Sequence, residues 1–301
     1  MNNKRSLIIQ MLQWDLKSII KHLPIISQQG FNMVQTSPLQ GIKEDDNYKY
    51  WALYQPLGMR IIDSKQIGTK TDLITLCKEA DKYNIKICVD VVLRHVASDN
   101  EILSKPHEKV DKILTNNKSF LTNAINATNY DDRWQLTNLA TGMPMLDYNN
   151  EGLQEIYRQY IRELKECGVK AIRLDQCKHF STSKEGCNFF KNVFGEFKDM
   201  FIYGECINTP KSLLDDYVAD GISVFTDYHL PSDKTKGVIA IETHDTFNCF
   251  KSTLHKNPDM LVNEWNFMLN NNRESSALWY CRPFDNTWMR EDVKYINNTY
   301  K

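Results

Sequence analysis

Net charge is nearly absent from this 301-residue chain: 37 Lys and Arg against 38 Asp and Glu leave a formal −1. So balanced a composition gives no electrostatic reason to expect a nucleic-acid or membrane partner, and it disfavours a polyanionic substrate. Long apolar runs are missing too. The run from Leu7 is broken at Gln10, too short for the apolar part of a secretion signal, and no stretch approaches the roughly 20 residues of a membrane span. The resulting expectation is a cytoplasmic protein. The eight cysteines form no CxxC pair and no zinc-like cluster, which excludes a thiol-rich metal site. In a chain of this length they read as buried free thiols, several, such as Cys88 and Cys281, lying inside apolar strand patterns. No internal repeat or low-complexity tract occurs.

What is present is alternation. Eight apolar, β-branched runs read as strands at 6–12, 31–36, 85–92, 169–174, 201–204, 222–226, 238–242 and 277–281. Between most of them lie segments of helical period. Thr71 to Tyr83 places Leu73, Leu76, Cys77 and Ala80 on one face, and Leu153 to Cys167 does the same with Ile156, Tyr160, Ile161 and Leu164. Strands alternating with helices predict a parallel sheet, and eight of them favour closure into an α/β (β/α)8 TIM barrel. Two stretches break the rhythm. Residues 96–146, rich in Asn, Thr, Lys and Asp, read as a small subdomain inserted between strand 3 and helix 3, with 1–95 and 147–301 forming the barrel. The segment Asp227 to Gly237 is too short for a crossover helix, so either the barrel is irregular there or a flanking strand is misassigned.

Four strand ends carry the chemistry: Asp90-Val91-Val92-Leu93-Arg94-His95, Ala171 to His179, Phe201 to Glu205, and Ile239 to Asp245. A barrel keeps its active site at the C-terminal ends of its strands, so these bring Asp175, Glu205 and Asp245 to one rim. Retaining glycoside cleavage needs two carboxyl groups about 5–5.5 Å apart, one attacking the anomeric carbon and one protonating the leaving oxygen. Arg173, two residues before Asp175, would keep it ionised as a nucleophile, while neighbouring carboxylates would favour the protonated, acid form of Glu205. Asp245 can hold developing positive charge, and His95 and His244 are candidate donors to sugar hydroxyls. A lone Asp or Glu after a strand is commonly a helix cap. Independent caps would not reproduce this order of residue types on strands 3, 4, 5 and 7.

These four stretches resemble the signature regions of the alpha-amylase family of glycoside hydrolases, and the likeness extends over roughly residues 7–290. Val34-Gln35-Thr36-Ser37-Pro38 is similar to the family's second-strand segment. Trp51-Ala52-Leu53-Tyr54-Gln55-Pro56 is similar to its sugar-stacking segment, and Asp132-Arg133-Trp134 with Leu146-Asp147 to the end of its inserted subdomain. The resemblance implies hydrolysis of α-1,4-glucosidic bonds in starch, glycogen or maltodextrins, with Asp175 as nucleophile, Glu205 as acid/base and Asp245 as transition-state stabiliser. It implies further that Arg173, His95 and His244 bind the sugar at the cleavage point. Trp51 and Tyr54 would stack on it, with Gln55 close by, and Lys178 would touch the neighbouring unit.

Three departures from the family stand out. Arg94 occupies the place of an Asn that ligates calcium, leaving Asp147 and the backbone of His179 as residual positions, and a guanidinium cannot ligate Ca²⁺. The expectation is therefore that no cofactor is required, with Arg94 bridging Asp147 and nearby carbonyls in the ion's place. The segment before strand 7 is short, and the family's C-terminal β-sandwich is missing from these 301 residues. Two alternatives follow: a transglycosylase acting on the same substrates, or a catalytically silent glucan-binding relative.

Overall fold

A computed structural model of the chain describes residues 5–44, 49–100, 102–122, 125–227 and 229–301. Residues 1–4, read above for a targeting signal, lie outside the described residues, as do residues 101, 123 and 124 of the insertion and residue 228 before strand 7. Eight parallel strands close in sequence order: β1 (Leu7–Met11), β2 (Met33–Thr36), β3 (Lys86–Val91), β4 (Ala171–Leu174), β5 (Phe201–Glu205), β6 (Ser223–Phe225), β7 (Gly237–Ala240) and β8 (Ser276–Tyr280). Closure is made by β1 on β8, with Leu7 opposite Ala277 and Gln10 opposite Tyr280. Cys281 therefore lies just beyond its strand, although it is buried as expected; of the eight free cysteines only Cys249 is exposed, contrary to the expectation of uniform burial.

The outer layer holds α1 (Leu16–Gln28), α2 (Lys70–Asp81), α3 (Glu151–Glu166), α4 (Phe189–Phe194), α5 (Lys211–Ala219), α6 (Pro258–Asn271) and α7 (Glu291–Tyr300). Their starts follow local chemistry. The Asp15 side chain accepts from Ser18 N, Thr69 and Asp72 form a reciprocal capping box, Asn150 accepts from Leu153 N, and Asn257 precedes Pro258 at the first turn of α6. Among the described residues no helix is long and apolar enough to cross a membrane.

Between β6 and β7 both strands are present, and among the described residues the one helical element that joins them is a short 3₁₀ turn, Lys234–Lys236. The irregular-barrel alternative is thus the one observed. Where a crossover helix would cover β7 there is instead an open groove of about 840 Å³, lined by Leu230, Ile239, Ile241, Phe267 and Met268 among others. Between β3 and α3, the described residues of the 96–146 stretch include short helices, Lys112–Thr115 and Arg133–Asn138, and are tied to the rim by bridges such as His95 with Met145.

The barrel interior is built in layers. Ile8, Met33, Cys88, Ala171, Tyr203, Phe225, Val238 and Leu278, one from each strand, form an apolar plug. Side chains alternate along a strand, so the residues two positions on share the same inward face. They include Gln10, Gln35, Asp90, Arg173 and Glu205. A polar layer thus sits directly on a dry floor, facing the C-terminal rim.

Candidate active site

Arg173 is the centre of that layer. Its Nη1 donates to both oxygens of Asp90 at 2.9 and 3.0 Å and to Asp175 Oδ1 at 2.8 Å, and its Nη2 lies 3.0 Å from Glu205 Oε1. One buried guanidinium therefore spans three carboxylates from three adjacent strands. Sequence reading assigned no role to Asp90, yet it is fully buried and also accepts from Tyr54 OH at 3.0 Å and Gln35 Nε2 at 3.3 Å. The missed signal was its alternation with Cys88 on the inward face of β3.

Arg173 is shared among the three, so its charge does not serve Asp175 alone. Burial drives the Asp175 carboxyl up from its ordinary range; Glu205, Asp90 and Asp245 push the same way, and Arg173 opposes them. Burial likewise lifts Asp90 to about 6, against the pull of Arg173 and Tyr54. Three carboxylates facing one cation make a cluster that favours retaining a proton.

Local backbone geometry supports the dyad. Gln176, directly after Asp175, adopts left-handed φ 48° and ψ 38°, which costs a non-glycine residue free energy. In that conformation its N–H donates to Glu205 Oε2 at 3.0 Å. Gly204 is required by close approach, since a Cβ there would sit 2.2 Å from Cys177 Sγ.

A cavity of about 550 Å³ opens above this layer, lined by Trp51, Tyr54, Gln55, His95, Asp175, Glu205, His244 and Asp245 among others. Nine of the ten residues expected at the catalytic and sugar-binding site are thus together, counting Arg173 beneath. Lys178 is the exception: its Nζ donates to Ile207 O at 3.0 Å, and it lines a neighbouring cavity of about 540 Å³ with Tyr130 and Asn208. Trp51, 45% exposed, presents a free face to the cavity, whereas the Tyr54 ring stacks on His244 with centroids 5.1 Å apart. Phe250, 71% exposed on the opposite loop, was not foreseen.

The two histidines differ from expectation in detail. His95 Nε2 lies 2.7 Å from the Tyr54 carbonyl, which can only accept, so Nε2 carries the proton there. Among the described residues Nδ1 has no partner, and burial pushes the ring down to about 4. The neutral ring therefore has its one N–H committed to the Tyr54 carbonyl, with Nδ1 enclosed and unpaired. His244 has its Nδ1 3.1 Å from Gln10 Nε2 and its Nε2 3.5 Å from Asp245 Oδ2, which fits an Nε2–H tautomer with the Gln10 amide donating. Burial and Arg173 push His244 down to about 3, and burial pushes His179 to about 3. A depressed folded value means each ring contributes stability above its unfolded value of about 6.5, lost as pH falls towards 3–4. Melting curves from pH 7 to 4 should accordingly fall less steeply for His244→Gln than for the wild type. Parallel curves would show that His244 is not held neutral.

Arg94 is buried, its Nη1 donating to Leu146 O at 2.7 Å and Nη2 to Thr137 O at 2.6 Å, with the guanidinium 4.6 Å from the Tyr148 ring centroid. It bridges backbone carbonyls of the insertion, not the Asp147 carboxylate as expected; that carboxylate caps Asn149 N at 3.1 Å. The His179 ring meets Leu136 O at 3.1 Å. Arg94 takes the Leu146 and Thr137 carbonyls, and its fixed charge near Asp147 would repel a divalent ion at close range, so the residues do not fit calcium.

The fold and rim define a closed (β/α)8 barrel whose C-terminal face gathers carboxylates around one buried arginine beneath an aromatic-walled cleft. The chain belongs to the alpha-amylase family: the model described as alpha amylase, catalytic domain, matches residues 10–274. An alpha-amylase of Clostridium acetobutylicum is 30% identical over 226 residues, covering 70% of this chain and 29% of that protein. Four such curated relatives are spanned over only 29–50% of their own lengths. Among solved structures, the Geobacillus thermoleovorans alpha-amylase complexed with acarbose superposes with TM-score 0.71 at 17% identity, covering 98% of this chain and 78% of that one. The Gamma-CGTase of alkalophilic Bacillus clarkii gives 0.73 at 12% identity, covering 99% and 56%. At these identities the two structures speak for the fold alone.

Proposed function

We propose that this chain cleaves α-1,4-glucosidic bonds of starch, glycogen or maltodextrins with retention of configuration. The observation that carries the reading is the single Arg173 guanidinium bridging Asp175 and Glu205 at the floor of the aromatic-walled cavity. In this scheme an Asp175 oxygen attacks the anomeric carbon while Glu205 gives its proton to the leaving oxygen. The same Glu205 then takes a proton from the water that releases the glycosyl group. Asp245, 38% exposed at its side chain, faces the developing positive charge. Arg173, His95 and His244 hold the sugar at the cleavage point, Trp51 and Tyr54 flank it with Gln55 beside them, and Lys178 meets the next unit. Eight free thiols, seven of them buried, support a cytoplasmic setting, in which glycogen or maltodextrins would be the substrates.

A reducing-sugar assay on maltoheptaose tests the reading, and proton NMR of the first-formed product should show the α-anomer. Binding of maltoheptaose without cleavage would instead favour the silent glucan-binding alternative.

Cofactor independence belongs to the same proposal, with Arg94 fastening the insertion to the rim in place of an ion. The wild-type melting temperature should be unmoved by EDTA or by millimolar calcium. Arg94→Asn should lower stability by about 3 kcal/mol, the scale of two lost charge-assisted hydrogen bonds. A calcium-dependent rise in the wild-type melting temperature, reversed by chelator, would overturn this.

A further inference from the structure

The segment 242–256, which carries His244 and Asp245, leaves β7, makes a wide helical turn over Asp245–Cys249 and ends just before α6. Hydrophobic burial does little to fix it, since only Glu242, His244 and Thr253 are buried along its length. Arg282, two residues beyond β8, does fix it. Its Nε and Nη2 donate to the two Glu242 oxygens at 2.7 and 2.6 Å. Nη2 also donates to Thr253 O at 2.9 Å and Nη1 to Lys256 O at 2.8 Å, while the guanidinium stands 4.8 Å from the Phe247 ring centroid. One side chain from just beyond β8 thus grips the segment at its start, middle and end.

The pair is almost wholly sequestered, with side chains 8% and 2% exposed, and neither residue lines the catalytic cavity. A buried ion pair is seldom more stable than an apolar pair of the same volume, so stability alone gives weak reason for it here. Its geometric consequence is specific. Glu242 lies two residues before His244 and three before Asp245, and a bidentate fork fixes direction as well as distance.

We infer that Arg282 and Glu242 are positioning residues that set Asp245 and His244 against Asp175 and Glu205, acting on the transition state more than on ground-state sugar binding. The inference rests on the glycosidase reading above. Two variants test it. The double change Glu242→Leu with Arg282→Met removes both buried charges together, which keeps the barrel folded; Arg282→Lys keeps the charge but loses the fork. Both should lower kcat on maltoheptaose by about 10–100-fold, the scale of a small misplacement of reacting groups, and leave KM nearly unchanged. Affinity for a cationic aminocyclitol oligosaccharide, which mimics the developing charge, should fall in step with kcat/KM, while maltotriose affinity holds. Wild-type kcat in either folded variant, or a raised KM at constant kcat, would overturn the inference. Should the double variant not fold, Arg282→Lys decides by the same readouts. A wild-type chain that neither cleaves nor binds these sugars would overturn the glycosidase reading itself, and this inference with it.

Discussion

Asp175→Asn should reduce maltoheptaose cleavage by about 10²–10⁴-fold or more while leaving the protein folded and as stable as the wild type or more so. Removing the nucleophile abolishes the covalent route. The stability sign follows from the cluster. The Asp175 carboxyl is raised by burial and by its acidic neighbours, so at neutral pH its ionisation works against the folded state. An amide keeps an oxygen for Arg173 Nη1 and removes one negative charge from three around one cation. Glu205→Gln should cause a comparable loss on maltoheptaose. On an aryl glycoside whose leaving group departs without protonation, its first step should recover in part, whereas Asp175→Asn stays inactive on both substrates. Near wild-type turnover in either variant would remove that residue from its role, and equal losses on both substrates would deny Glu205 the acid's part.

Arg173→Met should have the largest effect on the fold. It strands Asp90, Asp175 and Glu205 without a counter-charge, and loss of one partner from a buried ionic group costs about 3–5 kcal/mol. That corresponds to a fall in melting temperature of roughly 10 °C in a chain of this size. The deficit has a pH signature. Without Arg173 the Asp90 and Asp175 folded values rise further above their unfolded value near 4. Their contribution is then present below about pH 4 and is progressively lost as pH rises towards neutrality. Relative to the wild type, the variant should be most destabilised at pH 7 and recover towards pH 4.5. A deficit of equal size at both values would mean that Arg173 contributes packing and not charge compensation.

The sequence by itself determined the eight strands, their order and most of their positions, because a β-branched run bounded by turn residues encodes a buried strand locally. Placement at the C-terminal ends of apolar strand runs made Asp175 and Glu205 legible as rim groups, and the missing crossover helix followed from chain length between Asp227 and Gly237. The tertiary structure alone decided which groups meet. Asp90, Gln35 and Gln10 sit on inward faces whose neighbours are set by barrel register, so Asp90 sharing Arg173 with Asp175 was invisible in any one stretch. The proton on His95 Nε2 depends on the carbonyl of Tyr54, 41 residues away. The partners of Arg94, the carbonyls of Leu146 and Thr137, are peptide groups that carry no side-chain signature. Lys178 matches its motif yet faces a neighbouring cavity, and Arg282 follows β8 with nothing nearby in sequence to mark its hold on the 242–256 segment. Local periodicity specifies the face on which a residue lies; its partner is set by strand closure and by long-range contacts that bring distant stretches to one rim.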